Sequence, residues 1–253
     1  MKYIKFNNFT KEKKLWVSQI IYWYDKNKRN LMWRKPENQN FYSIWISEIM
    51  LQQTNVQTVE KYFLAFKKKW PTFKSFLNAN LNDILKIWQG LGYYQRAKNI
   101  YKTLQILKKK KIKVTYNELI RLPGIGDYSA AAISAILEDQ NHAVVDGNIK
   151  RILSRVFNID SQSKKFKTQV YKKAKELTPN SGNGDYCQAL MDIGATICKP
   201  KQVNCTICPL KKFCCFFYTK KKILRKKLVA KKKKVGVTFV YEFENEIYIE
   251  KSE

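Results

Sequence analysis

The chain has 253 residues, and 49 Lys and Arg against 20 Asp and Glu give it a formal net charge of +29. At 45% hydrophobic and 14% aromatic it is too apolar for a disordered basic tail, and it holds no apolar run of the roughly eighteen residues that a membrane-spanning helix needs. Such a cationic surplus calls for a polyanion, nucleic acid first and an anionic membrane surface second, although a genome rich in A and T accounts for part of the lysine. The first twenty residues mix charge with apolar groups and lack the pattern of a secretion signal, so the expected location is cytoplasmic, at the nucleoid.

Periodicity predicts a helix over 11–28, with Leu15, Ile20, Ile21, Trp23 and Tyr24 as its apolar groups. A loop with Pro36 follows, then a mostly buried helix over 41–55 and another over 56–69, ended by Pro71. Shorter helices fit 73–79 and 81–88, GLGYY at 90–94 is a turn, and 95–110 is helical. Next come a helix near 116–121, the turn LPGIGD at 122–127 and a small-residue helix at 128–136. A helix opened by DGN runs to about 157, and helices near 165–177 and 183–196 lead into a cysteine cluster. After a lysine-rich linker at 220–234, alternation predicts strands at 235–243 and 247–250 around a turn at 244–246. The fold class is all-α, with a short C-terminal hairpin.

Four constellations carry chemistry. Cys198, Cys205, Cys208 and Cys214 stand at C-x6-C-x2-C-x5-C, and all six cysteines fall between 187 and 215. That clustering argues for a metal site rather than a disulfide framework, either tetrahedral zinc or a [4Fe–4S] cluster. With four protein ligands the group would be a staple. In LPGIGD, Gly124 and Gly126 let backbone amides approach a phosphate at the start of the next helix, although an ordinary helical connection has the same sequence. Asp146 follows an apolar run at a helix start, where a carboxylate is either a cap or a reactive group. Glu48 stands among Trp45, Ile46, Ile49, Met50 and Leu51, where burial would raise its pKa, though a Glu on a polar stripe is the common case.

Together, SEIMLQQTNV, WQGLGYYQRAKNI, LPGIGDYSAAAISAI, VVDGNIKRILSRV and the cysteine loop resemble the helix–hairpin–helix DNA glycosylases, and more narrowly the adenine DNA glycosylases, over residues 10–218. The resemblance implies two helical modules, a six-helix barrel at 31–141 and an iron–sulfur module of 1–30 with 142–219. It also implies a [4Fe–4S] cluster on Cys198, Cys205, Cys208 and Cys214, a monomer, and double-stranded DNA containing adenine mispairs as partner. Residues 235–253 would be the truncated start of a Nudix-like domain that inspects 8-oxoguanine, so discrimination of 8-oxoguanine from guanine is expected to be weaker than in longer relatives.

By the same resemblance Gln53 and Tyr93 insert into the base stack, while Trp33, Arg34 and Leu51 surround the extruded adenine. Glu48 protonates the base, Asp146 stabilises the sugar cation, Asn148 and Tyr128 orient the site, and Lys150 holds the product's phosphate or traps its aldehyde. Endonuclease III-type enzymes, the alternative pyrimidine-lesion class, use a Lys nucleophile where this chain has Tyr128, so a monofunctional glycosylase is expected. Three features depart from or qualify the pattern. LMW stands at 31–33 in place of LPW, Asp127 adds negative charge beside the hairpin, and lone His142 reads as a loop residue.

Overall fold

Helix α1 (Phe9–Asn27) starts where the Asn8 side chain accepts a hydrogen bond from the Lys11 amide, a favoured capping arrangement. In this computed structural model, which describes residues 4, 6 and 8–219 and the backbone of 242–243 and 246–247, α1 buries Trp16, Ile20 and Tyr24. That stripe, spaced by four, is narrower than periodicity suggested: Leu15 is exposed and Ile21 only partly covered.

Two short 3-10 turns, Met32–Arg34 and Pro36–Asn38, occupy the loop before α2 (Phe41–Leu51). Then follow α3 (Val56–Lys69), α4 (Phe73–Leu77), α5 (Leu81–Trp88) and α6 (Gln95–Lys109). Asn40, Asn55, Thr72 and Asn80 cap α2 to α5, each accepting an amide hydrogen bond three residues on. Such a cap contributes about 1 kcal/mol. Helix α2 ends at Leu51, four residues short of the expected limit, because the chain turns left-handed at Gln53 (φ 61°).

The second half holds α7 (Tyr116–Leu119), α8 (Asp127–Glu138), α9 (Gly147–Phe157), α10 (Phe166–Leu177) and α11 (Asn183–Thr196). A 3-10 turn at Lys211–Phe213 and α12 (Cys215–Thr219), neither expected from periodicity, follow the cysteine loop. Asp139, left-handed at φ 50°, links α8 to α11: its carboxylate accepts the Gly182 and Asn183 amides.

Two apolar clusters fill this unit. One gathers Trp45, Phe63, Phe66, Phe76 and Trp88; the other joins Trp16 to Tyr186, Ile193 and Phe213. Helix α8 divides them, giving Ala130 and Ile133 to the first and Ala131, Ala132 and Ala135 to the second. Its small residues are the reason that neighbours pack on both faces.

In a separate compact unit, Glu242–Phe243 and Glu246–Ile247 form a short antiparallel pair, so Glu246 belongs to a strand rather than to the expected turn. The remaining residues of the expected hairpin, and the linker at 220–234, lie outside the described residues. No helix among the described residues is long and apolar enough to cross a membrane.

One ion cluster ties the start of the chain to α11. Asp192, with no exposed surface, accepts from Arg29 Nε at 2.7 Å and from Arg34 Nη1 and Nη2 at 2.7 and 3.0 Å. Burial alone would raise the Asp192 pKa, but the Arg34 and Arg29 contacts outweigh it and hold the carboxyl below the usual range. Asp192→Ala strands two arginines and should destabilise the fold by about 3 kcal/mol, read as a lower urea midpoint at unchanged slope. Because the folded pKa is depressed, this contribution should be present at neutral pH and fade as pH falls below about 4. A variant as stable as wild type at pH 7 would contradict it.

Candidate active site

Helix α2 is buried on all sides from Tyr42 to Met50, so the one carboxyl within that stretch, Glu48, is almost wholly shielded from bulk water. It is 6% exposed and its Oε2 has no hydrogen-bond partner. Burial pushes its pKa up to about 7; nearby Asp146 adds to the rise, while the Tyr128 hydroxyl and Arg34 oppose it. Tyr128, from the first turn of α8, faces the same spot. Burial and the charges of Glu48 and Asp146 keep its phenol protonated far above the usual range.

Asp146 caps α9, as one of its two sequence readings expected, and it also lines the groove. Its Oδ1 accepts from the Ile149 amide at 2.7 Å and its Oδ2 from Asn148 Nδ2 at 2.8 Å. Asn148 Oδ1 in turn accepts from Arg151 Nη2 at 2.7 Å. Arg151 continues to the Gly194 and Cys198 carbonyls, at 2.8 and 2.7 Å. Gly194 permits this arrangement, because a Cβ there would lie 2.5 Å from Asn148 Cβ.

Glu48, Tyr128 and Asp146 line one groove of about 1090 Å³ with Leu51, Gln53, Gly126 and Lys150. The structure therefore brings together most of the residues singled out from sequence. Five lie outside that lining, Asn148 among them, held on Asp146 and Arg151. Trp33 is buried edge-on against Phe63, and Arg34 is turned onto Asp192 beside the Tyr24 ring. Tyr93 is exposed at φ 48° on the turn before α6. Gly124, at φ 80°, abuts Asn99, where a Cβ would come within 2.7 Å.

The groove also holds residues with quieter expectations. His142 stacks on Tyr116 at 4.4 Å, and Tyr116 donates to Asp127 Oδ1 at 2.8 Å. The negative charge next to the hairpin is thus engaged by a phenol. Lys167 and Tyr171 of α10 form the facing wall.

The four cysteines of the C-x6-C-x2-C-x5-C loop, all free thiols, line one small cavity with Arg155, Lys211 and Phe216. Arg155 Nη1 lies 3.1 Å from Cys198 Sγ and also donates to the Cys198 and Lys199 carbonyls. Burial, then the neighbouring thiols, push Cys208 up to about 12; burial has the same effect on Cys214, at about 11. Among the described residues no three His, Cys, Asp or Glu side chains are arranged to hold a metal ion. The donor set nonetheless fits an iron–sulfur cluster in its chemistry: four sulfurs around one cavity, with a guanidinium to offset thiolate charge. Cys187 lies elsewhere, in the core, with its Sγ 3.2 Å from the Gly184 carbonyl oxygen.

Sequence reasoning missed the arginines. Arg96, Arg151 and Arg155 each bridge several backbone carbonyls near the site. The available signal was composition: only seven of the 49 basic residues are Arg, and a fork that bonds several acceptors is what Lys cannot supply.

Comparison with known proteins agrees with this geometry. Residues 46–180 match the HhH-GPD superfamily of base excision DNA repair proteins. The chain is 40% identical over 244 residues to an adenine DNA glycosylase of Buchnera aphidicola subsp. Schizaphis graminum, covering 92% of this chain and 69% of that protein. To the adenine DNA glycosylase of Buchnera aphidicola subsp. Acyrthosiphon pisum it is 43% identical over 201 residues, covering 77% of this chain and 57% of the relative. Among solved structures, a thermostable thymine-DNA glycosylase superposes with a TM-score of 0.72 at 25% identity, over 84% of this chain and all of that one. The helices, the hairpin turn and the matched sequence agree: the chain belongs to the HhH-GPD superfamily of base excision DNA repair proteins, within its adenine DNA glycosylase family.

Proposed function

We propose that the chain is a monofunctional DNA glycosylase that removes adenine mispaired with 8-oxoguanine or guanine and leaves an abasic site. The observation that carries this reading is the pair of carboxyls on one groove, Glu48 buried and raised to about 7 and Asp146 fixed by two donors. The division of labour parallels that of two-carboxylate glycosidases. The partner is double-stranded DNA, bound by a monomer at the nucleoid of the cytoplasm, and +29 of net charge favours that partner.

The base is out of reach in a duplex and must be extruded into the groove. Gln53 and Tyr93 enter the stack, and Leu51 bounds the space for the base. Neutral Glu48 gives its proton to adenine N7, which turns a poor anionic leaving group into neutral adenine; such general acid catalysis supplies about 10²–10⁴-fold. The C1′–N9 bond breaks, and the Asp146 carboxylate, steadied by Asn148, offsets the positive charge left on the sugar. Water adds at C1′. Tyr128 offers no amine, so no Schiff base forms and the strand is not cut, while Lys150 holds the product. Cys198, Cys205, Cys208 and Cys214 would hold a [4Fe–4S] cluster, which when bound supplies a structural staple rather than chemistry at the sugar.

Glu48→Gln and Asp146→Asn should each keep mismatch binding and lose excision by at least about 100-fold. The assay is single-turnover cleavage of adenine·8-oxoguanine, thymine·guanine and oxidised-thymine duplexes, with and without alkali. Product from either variant at the wild-type rate, or strand cuts without alkali, would sink the assignment.

The pH dependence follows from the raised Glu48 pKa. Excision requires the protonated form, so the rate should be level below pH 7 and decline above it, and the decline should vanish in Glu48→Gln. Ionising a buried carboxyl also costs stability. The penalty is absent below the unfolded pKa of about 4.5 and grows to its full size above pH 7. Glu48→Gln should therefore be more stable than wild type at pH 8, by on the order of 3 kcal/mol and with a higher melting temperature, and show no such advantage at pH 4. Equal melting at pH 8 would contradict this.

Cys208→Ser should lower iron content and visible absorbance and expose residues 198–214 to protease while leaving far-ultraviolet circular dichroism largely intact. Full iron content in that variant would remove Cys208 from the donor set.

A further inference from the structure

We propose that Arg96 is the positioning residue that locks Gln53 and Tyr93 into a single two-pronged wedge; the inference rests on the glycosylase reading and adds to it. Gln53 and Tyr93 are both exposed, and both hold positive φ without being glycine, 61° and 48°. Each left-handed residue stores on the order of 1 kcal/mol and persists only where its surroundings fix it. They lie forty residues apart on separate loops, the end of α2 and the turn before α6.

One buried guanidinium joins those loops. Arg96 Nη1 donates to the Ile49, Met50 and Gln52 carbonyls at 3.1, 2.9 and 2.6 Å. Both terminal nitrogens reach Thr54 Oγ1 at 3.3 Å. Nη2 turns the other way, to the Leu91 and Gly92 carbonyls, both at 3.1 Å. The residues on either side of Gln53, and the two preceding Tyr93, thus end on one cation. The guanidinium carbon also lies 5.5 Å from the Tyr93 ring centroid and 5.2 Å from that of Trp88. Around this clamp, Gln52 Nε2 ties the first loop to Ser129 of α8 and Trp88 Nε1 ties the second to Gly92.

The arrangement suits a partner that must be pried open. Unstacking a nucleotide costs a few kcal/mol, and a prong that relaxes its own backbone when pushed delivers less of that. A forked donor spanning two loops makes displacement of one prong cost the other its support. Lysine, with one nitrogen, has no such reach in two directions.

The test uses the full chain with Arg96→Lys, Gln53→Gly and the double variant. Affinity is measured for an adenine·8-oxoguanine duplex and for the same duplex carrying a reduced abasic analogue in place of the adenosine. A 2-aminopurine at the target position reports unstacking, and single-turnover excision is followed alongside. Arg96→Lys should weaken binding to the stacked duplex and quench the unstacking signal by about tenfold, the loss expected from about 1.4 kcal/mol of positioning, while affinity for the abasic duplex changes less than threefold. Adding Gln53→Gly to Arg96→Lys should cost little more, because both act through one wedge. Equal losses on the two duplexes, or additive losses in the double variant, would overturn the proposal. If Arg96→Lys does not fold, Thr54→Val removes the clamp's side-chain acceptor alone, and it should lower the unstacking signal without lowering the affinity for the abasic duplex; an unchanged signal overturns the proposal. Unstacking without an abasic product would instead count against the glycosylase reading and leave the wedge intact.

Discussion

The site depends on keeping one carboxyl out of water. Helix α2 has no solvent face between Tyr42 and Met50, so Glu48 pays for its burial by staying protonated near neutrality. Nothing else in the groove needs an unusual environment. Asp146 is held at a helix start by ordinary capping bonds, and Tyr128 is kept as a phenol by burial and by its two acidic neighbours. One carboxyl with an oxygen left unpartnered and another held by two donors, on the same groove, is the contrast from which the proposed chemistry follows.

Helix ends then carry groups that line the groove. Asp146 is the cap of α9, Gly126 the cap of α8, and Gln53 follows the last turn of α2. Each end leaves backbone carbonyls or amides without helical partners, and arginines take up several of the carbonyls. Arg96 does so at α2, and Arg151 and Arg155 at the turn that follows α11. Polar groups that a helix would otherwise leave unpaired thus become the attachment points of the site, and the cysteine loop is joined to Asn148 through Arg151 by the same kind of bond.

Much of this was legible in the sequence, and the residues that were not share a cause. Helix positions followed from periodicity, and the small-residue helix expected at 128–136 is the one that packs between two cores. Asp146 was readable as a cap, and the same geometry turns it to the groove, where the proposed role needs it. Glu48 was legible because its polar neighbours trail it instead of forming a stripe. The end of α2 was misjudged because nothing in QQT signals a left-handed turn; Arg96, more than forty residues along the chain, holds the Gln52 carbonyl and the Thr54 hydroxyl oxygen that flank it. Arg34 was placed by analogy beside the base, whereas its bidentate bond to Asp192 spans 158 residues and no local pattern announces it. Long-range forks of this kind leave only a faint compositional trace, arginine in a chain that otherwise uses lysine.

That preference for lysine also bears on the acid. A dense positive surface works against a protonated Glu48, since nearby cations favour the charged form, and Arg34 already does so. The opposition is limited in two ways. Most of the charge is solvated and screened within about 10 Å at ordinary ionic strength, whereas the groove lining holds only Lys150 and Lys167. When a polyanion covers the surface, it neutralises those lysines and brings its own negative field to the groove, and both changes push the Glu48 proton in the direction that burial does. On the proposed reading the cationic surface and the buried acid are compatible because they act in sequence: the free protein's charge gathers the duplex, and the bound duplex removes the charge that would otherwise have drawn the proton away.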